Sequence, residues 1–229
     1  MQVEVLDDDA AVARRAAAFI AAEARAAVQL RGRFTFAVSG GRTPWLMLSV
    51  LAAEDMPWAD THLFQVDERI APAGDAARNL THIRDSLLAH APLPAANLHA
   101  MPVEAGDLDA GARQYERTLR DIAGTPAALD LVHLGLGPDG HTASLAPGDA
   151  VLQVIDADVA LTAPYLGHRR MTLTYPMLNR ARRILWLATG SEKREMLARL
   201  RARDVSIPAG RIEQQHAIVL TDLAAVGQA

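Results

Sequence analysis

Four times along the chain a short apolar run stops at a cluster of glycine or charged residues. Phe34-Thr35-Phe36-Ala37-Val38 ends at Ser39-Gly40-Gly41, and His62-Leu63-Phe64-Gln65-Val66 ends at Asp67-Glu68-Arg69. Leu129 to Leu134 runs into a Gly-rich turn, Gly135 to Gly140, and Ile184 to Ala188 runs into Thr189-Gly190. Short runs of β-formers bounded by turn signals read as buried strands. Helical patterns lie between them. Asp7, Asp8 and Asp9 open an Ala-rich helix that stops at Gly32, and Pro44 suits the first turn of a helix continuing from Trp45 to Leu51. Further helices are predicted near Leu80 to Leu88, Leu108 to Ile122 and Glu192 to Arg203, with a short one at the end of the chain. Met171 to Thr174 and Ala217 to Leu220 complete the strands. Alternating strands and helices predict βα units: an α/β fold with a mostly parallel, doubly wound sheet flanked by helices. No linker or repeat divides the chain, so 1–229 is expected to be a single domain. In such sheets ligands bind beyond the carboxyl ends of the strands, where the polar clusters sit.

Composition narrows the chemistry. With no cysteine, a disulfide scaffold, a thiol nucleophile, a Cys-based zinc site and an iron–sulfur cluster are excluded. The formal charge of −4 is the wrong sign for a non-specific nucleic-acid binder. No stretch approaches the ~18 uninterrupted apolar residues of a membrane span, and the acidic start is unlike a signal peptide. The expectation is a soluble, cytoplasmic protein without nucleic-acid or membrane partners, a monomer or weak homo-oligomer. Of the 23 cationic residues, 22 are arginine and one, Lys193, is lysine.

Five clusters can carry chemistry. In Ser39-Gly40-Gly41-Arg42-Thr43-Pro44 the glycines let backbone approach an anion, and the N–H groups and dipole of the next helix favour phosphate. The same residues would also serve as a ligand-free strand–helix turn. Gly135-Leu136-Gly137-Pro138-Asp139-Gly140-His141-Thr142-Ala143-Ser144 places His141 in a Gly-rich loop at a strand end, where an imidazole can act as a general base. Asp139 would orient it or bind substrate. Ser144 is a conceivable nucleophile without the strained elbow such a residue needs. Asp67-Glu68-Arg69 is not expected in the core: it either starts a solvated loop or puts Asp67 and Arg69 into the crevice. His168-Arg169-Arg170 is a phosphate clamp or an exposed basic pair. In Thr189-Gly190-Ser191-Glu192-Lys193, Ser191 is positioned to cap the next helix. Lys193 then falls in its first turn, where a cation is unfavourable by ~0.3–1 kcal/mol unless an anion binds beside it.

Together these clusters resemble the 6-phosphogluconolactonase family, related to the glucosamine-6-phosphate deaminases. The resemblance runs from about Val38 to Asp222 and rests on SGGRTP, VDER, GLGPDGHTASL, RMTLTYPMLN and TGSEK, with DGHTASL the most specific. It implies a Rossmann-like α/β fold, no metal or cofactor, and a small-molecule substrate, 6-phospho-D-glucono-1,5-lactone, hydrolysed to 6-phosphogluconate in the oxidative pentose phosphate pathway. By position it makes His141 the catalytic base and sets Asp67 and Arg69 near the lactone. Ser39, Gly40, Gly41, Arg42, Thr43, Arg170 and Lys193 become the phosphate site. The chain departs from the pattern at Arg42, where many members carry Ser, at Arg78-Asn79, where they carry Ser-Asn, and at Ala146, where Phe is common. The deaminase branch carries a glutamate at the position of Ala146, which ring opening and proton movement between C1 and C2 require. Its absence favours the lactonase over a deaminase or isomerase. A non-enzymatic sugar-phosphate sensor is the third alternative, disfavoured because His141, Asp67 and Arg69 are all present.

Overall fold

The computed structural model describes residues 1–227. In chain order its strands and helices are β1 (Gln2–Leu6), α1 (Asp9–Arg31), β2 (Phe34–Val38), α2 (Arg42–Leu51), β3 (Thr61–Gln65), β4 (Asp67–Arg69), α3 (Asn79–Ile83), β5 (Leu98–His99), α4 (Leu108–Ala123), β6 (Leu131–Gly135), β7 (Val159–Leu161), β8 (Arg170–Leu173), α5 (Tyr175–Asn179), β9 (Ile184–Ala188), α6 (Arg194–Arg201), β10 (Ala217–Asp222) and α7 (Leu223–Val226). Local chemistry explains the ends of α1. The Asp8 carboxylate accepts from the Ala11 N–H, and Gly32 turns the chain at φ 74°, a left-handed conformation that costs glycine little.

Seven strands form one parallel sheet in the order β1-β10-β9-β6-β2-β3-β5. The register is set at its centre by Phe36 opposite Leu63 and Leu131, and by Leu134 opposite Trp186. Both faces are covered, so these strands are apolar on both sides. Phe34, Phe36 and Val38 face the core under α1 and α2, whereas Ala37 faces the opposite core with Phe64, Val132 and Trp186. This is the burial expected of a parallel sheet between helical layers. It agrees with the α/β reading. No described helix is long and apolar enough to cross a membrane.

Four features differ from the sequence reading. β1, β5 and β7 were not anticipated, and β5 falls in a stretch, Ala91 to Pro102, that reads as a loop; β1 is an edge strand, half-exposed, and its pairing with β10 needs no apolar run. A second sheet, β4-β8-β7, is antiparallel, and it takes both Asp67-Glu68-Arg69 and the Met171 strand out of the main sheet. The predicted helix near Leu80 to Leu88 is α3 followed by a π-helical turn, Arg84–Leu88. The predicted helix from Glu192 begins instead as a separate 3₁₀ turn, Ser191–Lys193, ahead of α6.

The expectation that Asp67-Glu68-Arg69 avoids the core is corrected most clearly by Glu68, which is fully buried. Its carboxylate accepts from Gln65 Nε2 and from the backbone N–H groups of Arg69, Asn79 and Leu80, each at 2.8 Å. Arg78 Nε lies 3.2 Å away. A buried carboxylate is tolerable only when its lone pairs are filled, and here they are. Glu68 thereby caps α3 from another element, using its otherwise orphaned N–H groups.

The strand order places the site. β2 has β3 on one side and β6 on the other. Its own crossover leads to β3, whereas the chain leaving β6 returns to the sheet at β9. The loops after β2 and β6 therefore diverge, and a crevice opens between them beyond the strand ends.

Candidate active site

A cavity of about 350 Å³ fills that crevice. Its lining includes Ser39, Gly40, Gly41, Arg42 and Thr43 after β2, Asp67 and Arg69 of β4, His141 after β6, Arg170 of β8 and Lys193 after β9. Asp139 stands behind His141. Every residue that the sequence reading nominated is thus at or against one cavity. Four cations line it against two carboxylates, in a chain whose net charge is −4. A local positive field of this kind draws an anionic ligand.

The wall after β2 is mainly backbone. Gly41 is the N-cap of α2 at φ 129° and has no side chain with which to cap it. The first N–H groups of α2 therefore meet no side-chain acceptor. Gly40 packs so closely on Asn79 that a Cβ there would lie 1.9 Å from Asn79 Oδ1. Behind the loop, His133 of β6 is fully buried. Its Nδ1 accepts from the Ser39 N–H at 3.2 Å, and Ser39 Oγ donates to the His133 carbonyl at 3.1 Å. Burial depresses the His133 imidazole to about 3, so it is neutral at physiological pH. Thr43 and Thr189 share a hydroxyl–hydroxyl hydrogen bond of 2.7 Å, tying this loop to the turn that carries Lys193.

That turn is held by a residue outside the recognised cluster. Asp222 at the end of β10 accepts from the Gly190 N–H at 3.0 and 3.1 Å and caps α7 through the Ala225 N–H. Ser191 makes no capping bond, contrary to expectation, because the helix it was to cap starts three residues later. Lys193 is the N-cap residue of α6 rather than a member of its first turn. Beside it Glu192 curls over Gly190, where a Cβ would meet its carboxylate at 2.4 Å. Arg42 lies at the cavity rim. Its side chain is 84% exposed and 3.8 Å from Asp9, a loose surface pair worth little.

The opposite wall is built from buried, mutually bonded side chains. Ser144 Oγ donates a short hydrogen bond to Asp67 Oδ2. Asn79 donates through Nδ2 to the Asp67 carbonyl at 2.9 Å and accepts at Oδ1 from Arg69 Nη1 at 2.9 Å. Arg69 also donates to the Ala77 carbonyl. Arg170 is 5% exposed. Its Nη1 reaches Ser144 Oγ at 3.5 Å and its Nη2 the Tyr165 carbonyl at 3.4 Å. Burial, and then the neighbouring charge of Arg69, lower the affinity of Arg170 for its proton. Two guanidiniums side by side are stabilised when an anion joins them. Arg78, by contrast, does not line this cavity; it is buried between Glu68 and Glu104, the latter at 2.6 Å.

At the centre His141 Nδ1 lies 2.6 Å from Asp139 Oδ1, and the His141 N–H donates to the same oxygen at 3.1 Å. The ring side chain is 20% exposed. A carboxylate at Nδ1 fixes the proton there and leaves Nε2 with its lone pair free. Burial pushes the Asp139 carboxyl up, but hydrogen bonds from the His141 side chain and backbone and from Tyr165 outweigh it and hold the group below its usual value. Gly137 is required against this ring: a Cβ there would lie 2.0 Å from His141 Nδ1.

Asn79, Tyr165, Thr189 and Glu192 join the site although the sequence reading assigned them no role in it. Asn79 had a signal, its place in the Arg78-Asn79 departure from the family pattern. Thr189 and Glu192 flank Gly190 in the cluster already singled out. Tyr165 had none, lying 24 residues beyond His141 in a stretch without pattern. Ser144, weighed as a nucleophile, is 2% exposed and spent on Asp67.

The family model describing glucosamine-6-phosphate isomerases and 6-phosphogluconolactonase matches residues 7–221. A 6-phosphogluconolactonase of Nostoc sp. is 36% identical, over 97% of this chain and 96% of that protein. The crystal structure of a 6-phosphogluconolactonase from Thermotoga maritima superposes with a TM-score of 0.86 at 27% identity, covering 96% of this chain and 98% of that one. A monomeric glucosamine-6-phosphate deaminase superposes with a TM-score of 0.84 at 18% identity over the whole of both chains, a likeness of fold alone.

Proposed function

The chain belongs to the glucosamine-6-phosphate isomerase/6-phosphogluconolactonase family, and within it we propose that it is a 6-phosphogluconolactonase, hydrolysing 6-phospho-D-glucono-1,5-lactone to 6-phosphogluconate. The observation that carries this reading is the Asp139–His141 pair facing a cavity ringed by Arg69, Arg170 and Lys193. The loop Ser39–Thr43, Arg170 and Lys193 bind the phosphate, and the lactone carbonyl carbon then lies by His141. His141 Nε2 takes a proton from water as the water oxygen bonds to C1 and the carbonyl electrons move onto its oxygen. Asp139 holds the imidazolium so formed. Arg69 or loop N–H groups stabilise the tetrahedral oxyanion. Collapse re-forms the carbonyl, breaks the bond from C1 to the ring oxygen, and returns the proton from His141 to that oxygen. Asp67, bound to Ser144 and Asn79, sets a negative charge beside Arg170 and holds Ser144, to which Arg170 also reaches.

Two further points support the lactonase over the deaminase. The curated relatives with which the chain aligns over nearly its whole length carry the lactonase name. The position where the resemblance puts a deaminase glutamate holds Ala146, a buried methyl that brings no carboxylate to the cavity. The test follows lactone hydrolysis above its spontaneous rate. Wild type should accelerate it, and His141→Asn should lower kcat by ~10²–10⁴-fold with KM little changed. Ammonia release from glucosamine-6-phosphate, or wild-type turnover by His141→Asn, would overturn the reading.

A further inference from the structure

We propose that Tyr165 is a positioning residue that sets the base and the buried arginine together: its hydroxyl anchors Asp139 behind His141, and its ring supports Arg170. The inference rests on the lactonase reading for its kinetic consequences. Its geometric core does not.

Tyr165 sits in the segment between β7 and β8, closed by paired backbone hydrogen bonds between Tyr165 and His168. Leu166 and Gly167 turn it at φ 49° and 84°. The next residue in the sheet, Arg170, begins β8. From this tip Tyr165 Oη donates to Asp139 Oδ2 at 2.9 Å and lies 3.2 Å from His141 Nδ1. The ring meets the imidazole edge-on, with centroids 5.3 Å apart at 68°. The Arg170 guanidinium carbon stands 5.2 Å from the same ring, and the Tyr165 carbonyl accepts from Arg170 Nη2. One side chain thus touches three others that the proposed reaction uses. It completes a chain from Tyr165 to Asp139 to His141 in which each carboxylate oxygen has its own donor.

The consequences are separable by atom. Without the hydroxyl, Asp139 Oδ2 loses its donor and the carboxylate is free to rotate off His141 Nδ1. A hydrogen bond to a charged acceptor is among the stronger kinds. The imidazole is then held less firmly in the tautomer that leaves Nε2 free. Other charged groups lining the cavity with His141 are Arg42, Asp67, Arg69, Arg170, Glu192 and Lys193, and none is altered by the substitution. Without the ring, Arg170 loses its cation–π support and gains freedom.

Tyr165→Phe should lower kcat by ~5–20-fold with KM within about twofold. Tyr165→Leu should show the same kcat loss and a KM raised by ~3–10-fold. Wild-type kcat in Tyr165→Phe would overturn the inference. Wild type and His141→Asn run alongside, so failure of the lactonase reading appears as an inactive wild type. The anchoring is then read without substrate, from the ring ¹⁵N signals of His141 in free protein. Tyr165→Phe should shift Nδ1 or raise the other tautomer, and an unchanged spectrum in a folded variant would overturn the anchor.

Discussion

On one side of the cavity, the loops after β2 and β9 offer glycine backbone, a helix start without a side-chain cap and a single lysine. On the other, β4, β8 and the loop after β6 offer Asp67, Arg69, Arg170 and His141, each fixed by hydrogen bonds to further side chains. The difference follows from what each side would hold. A phosphate carries several equivalent oxygens and accepts from any correctly spaced N–H, so backbone and dipole suffice. A reacting carbonyl demands one base and one cation at defined positions, and only side chains locked from behind supply that. Two histidines repeat the contrast. His133 serves the backbone wall as a neutral acceptor, whereas His141 stays accessible with its proton placed by Asp139.

That contrast can be broken in several ways. The largest effect is on acid stability. His133 binds a proton near pH 6.5 when unfolded but near 3 when folded, and His99 near 4, so the unfolded state takes up more protons as pH falls. Stability is complete above about pH 6.5 and declines toward pH 3–4, by about 1.4 kcal/mol per pH unit for the buried His133 and by less for the half-buried His99, whose charge water screens. Urea unfolding at several pH values checks this. His133→Asn keeps an acceptor for the Ser39 N–H and should flatten the decline; an equally steep decline would show that His133 does not brace the backbone wall as a neutral group.

Next comes Gly137→Ala, which removes no charge and no donor. Its Cβ would fall 2.0 Å from His141 Nδ1 and 2.6 Å from Cγ, so the imidazole must move. A displacement of about 1 Å costs ~10²-fold in kcat/KM. Near-wild-type turnover would mean that the side-chain wall needs no such exact geometry. Smaller again is Lys193→Ala, expected to raise KM for the phosphorylated lactone by about tenfold, with kcat and the unphosphorylated lactone little changed. Lys193→Arg should give a weaker version of the same loss, since a planar guanidinium is a different shape from a compact ammonium. Arg42→Ala should change KM less than about twofold, because its side chain points to solvent beside Asp9. A tenfold rise there would move the phosphate toward the rim and redraw the backbone wall.

The backbone wall was the more legible of the two from sequence. Ser39-Gly40-Gly41 and Thr189-Gly190 stand out because glycine at a strand end marks a tight turn where backbone can approach an anion, even though a ligand-free turn has the same composition. Of the side-chain wall, DGHTASL gave His141 and Asp139, but the partners that immobilise the wall did not show. Glu68 looked like one charge among three until Asn79 and Leu80 came into view, since half of the donors that make its burial tolerable come from a helix 11 and 12 residues further on. Ser144 reads as a free hydroxyl in the chain and is a donor to Asp67 in the fold, 77 residues away.

Sequence by itself marked the inner strands of the parallel sheet, β2, β3, β6, β9 and β10, most of its long helices, and the residues nominated for the site at the carboxyl ends of those strands. These rest on local matters: apolar period, glycine at turns and the spacing of motifs. Tertiary structure alone decided that Asp67 and Arg170 share a small antiparallel sheet, that Arg42 faces water, and that Tyr165 closes on Asp139 and His141. Such contacts depend on burial and on hydrogen-bond partners brought together by chain crossings, and neither quantity is written in any local stretch of residues.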